Sequence, residues 1–226
     1  MALVLYKMEA SPPANAVRIV ADLIGLELEF KDIDFATKEH KSPEFLKLNP
    51  MGTVPTLVDG DFVISESHTI IKYLLSLYGG DKSEALYPSD VRTRALVDQV
   101  LFFDTGVFFI RLKAVALPSV FGNLEAPTEQ HIADIDEAYG IVEAYLQKNK
   151  YLAADHLTIA DISIVATVVS MQPIHKLDAA KFPRAAAWLS ELEKLPSVKK
   201  ILIPGAEILG QFLNMSWERN RKNLNK

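Results

Sequence analysis

Val54-Pro55-Thr56-Leu57-Val58-Asp59-Gly60-Asp61-Phe62-Val63-Ile64 decides the fold. Two short runs rich in β-branched and aromatic residues flank Asp59-Gly60, a dipeptide that favours the left-handed backbone of a tight hairpin turn. The proline cannot donate to a ladder, so it marks a strand start or a sheet edge, and the bond before it is of the kind that can be cis. Ser65 and Ser67 can then cap a helix running to about Leu77. Working back, Pro43 to Leu48 reads as a short helix, and Leu28 and Phe30 alternate with Glu27, Glu29 and Lys31 as a strand with one solvated face. Ser11-Pro12-Pro13 opens a helix in which Ala14, Val17, Ala21 and Ile24 recur at helical spacing, with Gly25 placed to end it. Leu3 to Tyr6 is a short buried strand. The order over residues 1–80 is therefore β-α-β-α-β-β-α.

After Gly79-Gly80 the pattern changes. Residues 81–90, with Pro88, read as a linker, and 91–226 are helical throughout. Val91 to Leu117 can form one long helix, and a second spans about 128–148. A third begins at Thr158-Ile159-Ala160-Asp161, where a threonine and an acidic residue three positions on form a capping box. That third helix is apolar on all sides (Ile162, Ile164, Val165, Val168, Val169), which places it in the middle of a bundle. Pro183 and Pro196 punctuate further helices. The expected class is mixed α and β: a small β-containing domain followed by an all-helical one.

Composition narrows the function. The 226 residues are 49% hydrophobic and 23% charged, with formal net charge −5 and no cysteine. A disulfide framework, a thiolate metal site, an iron–sulfur cluster and a cysteine nucleophile are excluded. Any thiol chemistry must use a thiol brought by another molecule. Net acidity argues against nucleic acid as a partner. The apolar run from Ala2 to Tyr6 is too short for a signal peptide, and no stretch reads as a membrane span, so a cytoplasmic protein is expected. The one basic stretch, Arg219, Arg221, Lys222 and Lys226 against Glu218, reads as a solvated tail.

Three positions carry chemistry. Ser11 stands between a strand and a helix, and Pro12 keeps it out of the helix; its hydroxyl either caps the helix or faces whatever sits above the strand. It is no serine-hydrolase nucleophile, since Ala10-Ser11-Pro12-Pro13 lacks the G-x-S-x-G elbow. A cis Val54-Pro55 bond would leave the Val54 backbone free to pair with an extended ligand, the alternative being a simple edge-strand proline. Glu66-Ser67-His68 opens a helix, so its N–H groups and the serine suit a carboxylate while Glu66 suits an ammonium. Together these would grip an amino-acid head, or serve only as a polar helix start.

In combination the motifs resemble a cytosolic glutathione transferase. The match is carried by the strand before Ser11-Pro12-Pro13, by Leu48-Asn49-Pro50 with Thr53-Val54-Pro55-Thr56-Leu57, by Glu66-Ser67-His68-x-Ile70, and by Tyr87-Pro88. Phe103-Asp104-Thr105-Gly106-Val107, Asp155 to Asp161 and Lys181-Phe182-Pro183 extend it over about residues 2–210. The serine and the Ser-His pair are most similar to the insect delta and epsilon classes, epsilon the better.

The resemblance implies a thioredoxin-like domain that binds glutathione as cosubstrate, without metal, and a helical domain that holds small hydrophobic electrophiles. It implies a homodimer. Ser11 would donate to the glutathione sulfur, Val54 beside Pro55 would pair with the cysteinyl unit, and Glu66 and Ser67 would hold the γ-glutamyl head, supported by His68. His40 would lie near the glycyl carboxylate. Met51-Gly52 departs from the family, which often has a second histidine there, so weaker glutathione binding is expected, and Gly52→His presents itself as its test. For the apolar pocket the resemblance points to Pro13, Phe109, Leu112, Leu117, Val120, Phe121 and Phe212, several of which could instead be core. Arg111 borders the cleft or the solvent, and Asp104 could reach across a dimer interface. The rival reading is a non-catalytic carrier of apolar ligands such as steroids or pigments; a reductase would need cysteine at position 11.

Overall fold

The computed structural model describes residues 3–224. Four strands form one sheet in the order β2-β1-β3-β4. β1 (Leu3–Lys7) runs parallel to β2 (Glu29–Asp32) and antiparallel to β3 (Thr56–Asp59), which pairs with β4 (Phe62–Ser65). Helix α1 (Pro12–Ile24) makes the parallel crossover, and Gly25 ends it with a left-handed φ of 74°. α2 (Pro43–Leu48) and α3 (Ser67–Tyr78) complete the unit.

Two local expectations shift. The register pairs Asp59 with Phe62, so the two-residue turn is Gly60-Asp61, with Gly60 at φ 62°. All of β2 is exposed because it is the sheet edge, and Phe30 lies open with the Lys7 ammonium and Arg18 guanidinium 5.7 and 5.3 Å from its ring centre.

A short helix α4 (Lys82–Leu86) falls within the stretch read as a linker. The long helix expected from Val91 is interrupted: α5 (Val91–Phe103) loosens into a π turn over Asp104–Phe108 before α6 (Phe109–Val120). Such a turn carries an extra residue, which rotates the following side chains. α7 (Glu129–Tyr145), α8 (Ile159–Met171), α9 (Pro183–Leu192) and α10 (Ile203–Leu224) complete the bundle. Every residue of α8 is buried. Its capping box forms as expected, and Asp161 also accepts from Leu152 N and Trp188 Nε1 at 2.9 and 3.0 Å. α1 packs on α3 and on α8, so one continuous core spans the sheet side and the helical side.

The basic tail is not free. α10 runs to Leu224, and Arg219 Nη2 donates to Val120 O at 2.8 Å while Arg221 Nη1 donates to Glu125 O at 3.0 Å. Between them Asn220 is fully buried and its amide donates to Ser119 O and Leu124 O at 2.8 and 2.7 Å. These bonds satisfy carbonyls in the last turn of α6 and in the loop that follows it. Lys226 lies outside the described residues.

Candidate active site

Ser11 caps α1 from an extended conformation, φ −90° and ψ 109°, and its Oγ accepts from Ala14 N at 3.4 Å. That long bond leaves the oxygen weakly engaged. Among the described residues the hydroxyl donates to nothing, although Ser11 is buried. A buried O–H normally finds an acceptor, so this proton is available to one that arrives.

The Val54-Pro55 bond is cis. β3 begins at Thr56, so Val54 stands ahead of the paired residues, and no backbone hydrogen bond holds it among the described residues. Asn49 fixes this loop: its Nδ2 donates to Thr53 O and Thr56 Oγ1 at 2.9 and 3.0 Å, and Gly52 N returns to Asn49 O at 2.8 Å.

Glu66 precedes α3 with φ 70° and ψ 111°, a sparsely populated region for a residue with a Cβ. Such conformations cost about 1–3 kcal/mol and persist where the surroundings impose them. The exposed Glu66 side chain does not cap its own helix, which leaves the first N–H groups of α3 and the Ser67 hydroxyl open to a ligand.

His68 turns the other way. Its Nε2 lies 2.5 Å from Ser163 Oγ and 3.3 Å from Asp104 Oδ2, and its Nδ1 lies 3.0 Å from Thr105 Oγ1. Asp104, nearly buried in the π turn, also accepts from Thr167 Oγ1 at 2.7 Å and from Ser163 Oγ. The carboxylate is therefore engaged within its own chain. Both ring nitrogens of His68 are likewise occupied by partners within the chain. Thr105, Ser163 and Thr167 were not singled out from sequence. The signal was a serine and a threonine four apart on one face of the mostly apolar α8.

His40 stacks on Phe35 with ring centres 4.2 Å apart, and its Nδ1 is buried without a partner. Burial pushes its pKa down, and the Lys41 and Lys38 charges add to that. Gly52 proves to be required by the backbone. Its φ is 60°, and a Cβ added there would stand 2.5 Å from His40 O and 2.7 Å from Lys41 Nζ. Gly52→His is therefore no clean test of a missing contact, because any side chain at this position displaces the loop.

On the helical side, Pro13 and Phe109 are half-buried, while Leu117, Val120, Phe121 and Phe212 are exposed, Phe121 by 73%. α10 packs on α6, which brings the helices bearing these residues side by side. Leu112 is different: at 3% exposure it belongs to the core and offers no surface to a ligand. Arg111 ion-pairs with Glu137 of α7, and its Nη1 is buried without a partner. Two open surface depressions lie elsewhere. One, of about 440 Å³, lies beside Met215 and Arg219, and another, of about 330 Å³, lies between Arg18, Phe30 and Lys200.

Comparison with known proteins places these features in a family. The model of the glutathione S-transferase N-terminal domain matches residues 1–76, and that of the C-terminal domain matches residues 69–196. Glutathione S-transferase 1 of Manduca sexta is 37% identical over 210 residues, covering 92% of this chain and 95% of its own. An epsilon-class glutathione S-transferase from the housefly, Musca domestica, superposes with TM-score 0.91 at 41% identity, covering 95% of this chain and 98% of that one. A glutathione transferase homologue from Drosophila mojavensis, solved with bound glutathione, gives TM-score 0.90 at 38% identity and covers 95% and 97% of the two chains.

Proposed function

The chain belongs to the glutathione S-transferase family, and we propose that it conjugates small hydrophobic electrophiles to glutathione by a thiolate that Ser11 stabilises. That it is an enzyme of this family, with glutathione as cosubstrate, is the premise; the residue roles, the electrophile class and the detoxication role are our reading.

The observation that carries it is the unspent Ser11 proton beside the N-terminus of α1. A thiol of pKa about 8.5 needs a shift of about two units, or roughly 2.7 kcal/mol, to be mostly ionised at neutral pH. A hydrogen bond to a charged acceptor contributes about 1.5–3 kcal/mol. The helix N-terminus adds about 0.3–2 kcal/mol. The two suffice without a general base. The thiolate attacks the electrophilic carbon, forming a C–S bond as the leaving group departs with its electron pair.

Residues 1–80 hold glutathione, 81–90 connect, and 91–226 carry the apolar pocket. Val54 pairs through its backbone with the cysteinyl unit beside Pro55, Glu66 and Ser67 hold the γ-glutamyl head, His68 anchors the start of α3, and His40 lies toward the glycyl end. Pro13, Phe109, Leu117, Val120, Phe121 and Phe212 supply the apolar wall. Exposed Val91, Phe102 and Leu77 support pairing with a second copy. The protein works in the cytoplasm; among the described residues no helix is long and apolar enough to cross a membrane.

Turnover of a chloronitrobenzene with glutathione, compared between wild type and Ser11→Ala, tests the reading. A drop in kcat/KM of about 10–100-fold is expected, matching about 1.5–3 kcal/mol of lost thiolate stabilisation. The ultraviolet thiolate band of bound glutathione should titrate at higher pH in the variant. Equal rates in the two proteins would overturn the role given to Ser11, and no turnover by either would favour the carrier.

A further inference from the structure

We infer that Asn220 is a positioning residue for the electrophile pocket: from α10 it holds the turn that ends α6, and so sets where Phe121 stands on the pocket rim. This rests on the reading of Phe121 as pocket wall under the proposed function and deepens it.

The turn is weak by itself. Pro118 lies inside α6 and contributes no N–H to its last turn. The helix closes around Gly122 at φ 88°, with Gly122 N donating to Ser119 O at 3.4 Å and Asn123 N to Pro118 O at 2.8 Å. This is the left-handed helix ending that glycine permits. Neither bond serves the carbonyl of Val120 or that of Leu124. Phe121 stands between them, 73% exposed, so its own ring does not anchor the turn in the core.

Helix α10 supplies the missing donors. Asn220 Nδ2 donates to Ser119 O at 2.8 Å and to Leu124 O at 2.7 Å, and its Oδ1 accepts from Arg219 Nε at 3.2 Å. One side chain thus joins the end of α6 to the chain leaving it and brackets residues 120–123. Burying an amide is unfavourable unless its hydrogen bonds are regained. Asn220 is fully buried, and both of its amide donors are regained on this turn, so the turn is what the residue at 220 is fitted to. Arg219 Nη2 adds a bond to Val120 O, the carbonyl just before Phe121, at 2.8 Å, and Trp217 Nε1 donates to Ser119 Oγ at 2.7 Å. Phe212 stands about two turns earlier on the same helix. One helix therefore carries one part of the apolar wall and fixes the other.

The test is a cycle between positions 220 and 121. Electrophile KM and kcat with a chloronitrobenzene, glutathione KM and urea unfolding are measured on wild type, Asn220→Leu, Phe121→Ala and the double variant. Asn220→Leu fills the same space without the directed bonds. It should raise electrophile KM about fivefold, with glutathione KM held within about twofold. On the Phe121→Ala background the same substitution should move electrophile KM by less than about twofold, because the group it positions is gone. Should Asn220→Leu fail to fold, Arg219→Met decides, since it lies at an exposed position and removes only the outer bonds. It should raise electrophile KM about threefold, again only where Phe121 is present. Lower unfolding stability with unchanged electrophile KM would make Asn220 a brace and nothing more. Equal effects with and without Phe121, or a parallel rise in glutathione KM, would mean that it acts elsewhere; each of these outcomes overturns the inference. If Phe121→Ala by itself left electrophile KM unchanged, the reading of the pocket wall would fall and this inference with it, while a Ser11→Ala rate loss would still support conjugation.

Discussion

The two walls of the cleft are built by opposite means. On the sheet side the groups that face a ligand are backbone atoms or short side chains held by backbone geometry: the Ser11 cap, the cis Val54-Pro55 bond, Gly52 at φ 60° and Glu66 at φ 70°. On the helical side the corresponding groups are long apolar side chains standing on α6 and α10, with Leu117, Val120, Phe121 and Phe212 open to solvent. A polar recognition site needs donors fixed within a few tenths of an ångström, and backbone constraints achieve that. An apolar site needs only area and shape, and rotamers of exposed side chains can supply several shapes at little cost. On the proposed function, the sheet side would recognise its ligand strictly and the helical side loosely.

The joint between the walls is the buried polar cluster of His68, Asp104, Ser163 and Thr167, which ties α3 to the π turn and to α8. If the contrast is real, substitutions should separate along it. The largest expected effect is Leu112→Ala, at a position counted from sequence with the pocket but placed by the structure in the core. It should cost about 3 kcal/mol of unfolding free energy in urea, as buried leucine truncations do. A loss below 1 kcal/mol with an altered electrophile KM would return Leu112 to the pocket. Next, Asp104→Ala removes the shared acceptor of two hydroxyls and the histidine. About 2 kcal/mol should be lost, together with a several-fold rise in glutathione KM as α3 loses its anchor at His68; an unchanged KM would show the two walls to be uncoupled. The smallest effect on stability is expected for Phe121→Ala, within about 0.5 kcal/mol as for other exposed positions. Its electrophile KM should change several-fold while glutathione KM stays constant, and a shift in glutathione KM would break the division of labour.

Much of the sheet-side wall was legible in the chain because its determinants are local. Ser11 before two prolines, Gly25 after an apolar stripe, Val54 before Pro55 and Ser67 at a helix start each act within one turn of their own position. The hairpin was legible too, although its turn lies one residue later than Asp59-Gly60, because only the pairing of Asp59 with Phe62 sets the register. Leu112 and Asp104 were harder to read. Helical spacing marks an apolar or polar face but not what lies against it, and the π turn at Asp104–Phe108 resets the face for every residue after it. The tail shows the same limit: four charges read as solvated, yet Arg219 and Arg221 end on carbonyls near the end of α6.

By itself the sequence determined the element order, the helix boundaries marked by caps and prolines, the absence of a protein thiol and the presence of a serine between the first strand and the first helix. Tertiary structure decided which way His68 points, what holds Asp104, that Leu112 is core and that Lys41 fills the space a residue at position 52 would need. The physical reason is range. Caps, turns and propensities act over about four residues, whereas His68 meets Ser163 across 95 positions and Asn220 meets Ser119 across 101. Only the packing of α8 and α10 brings those partners together.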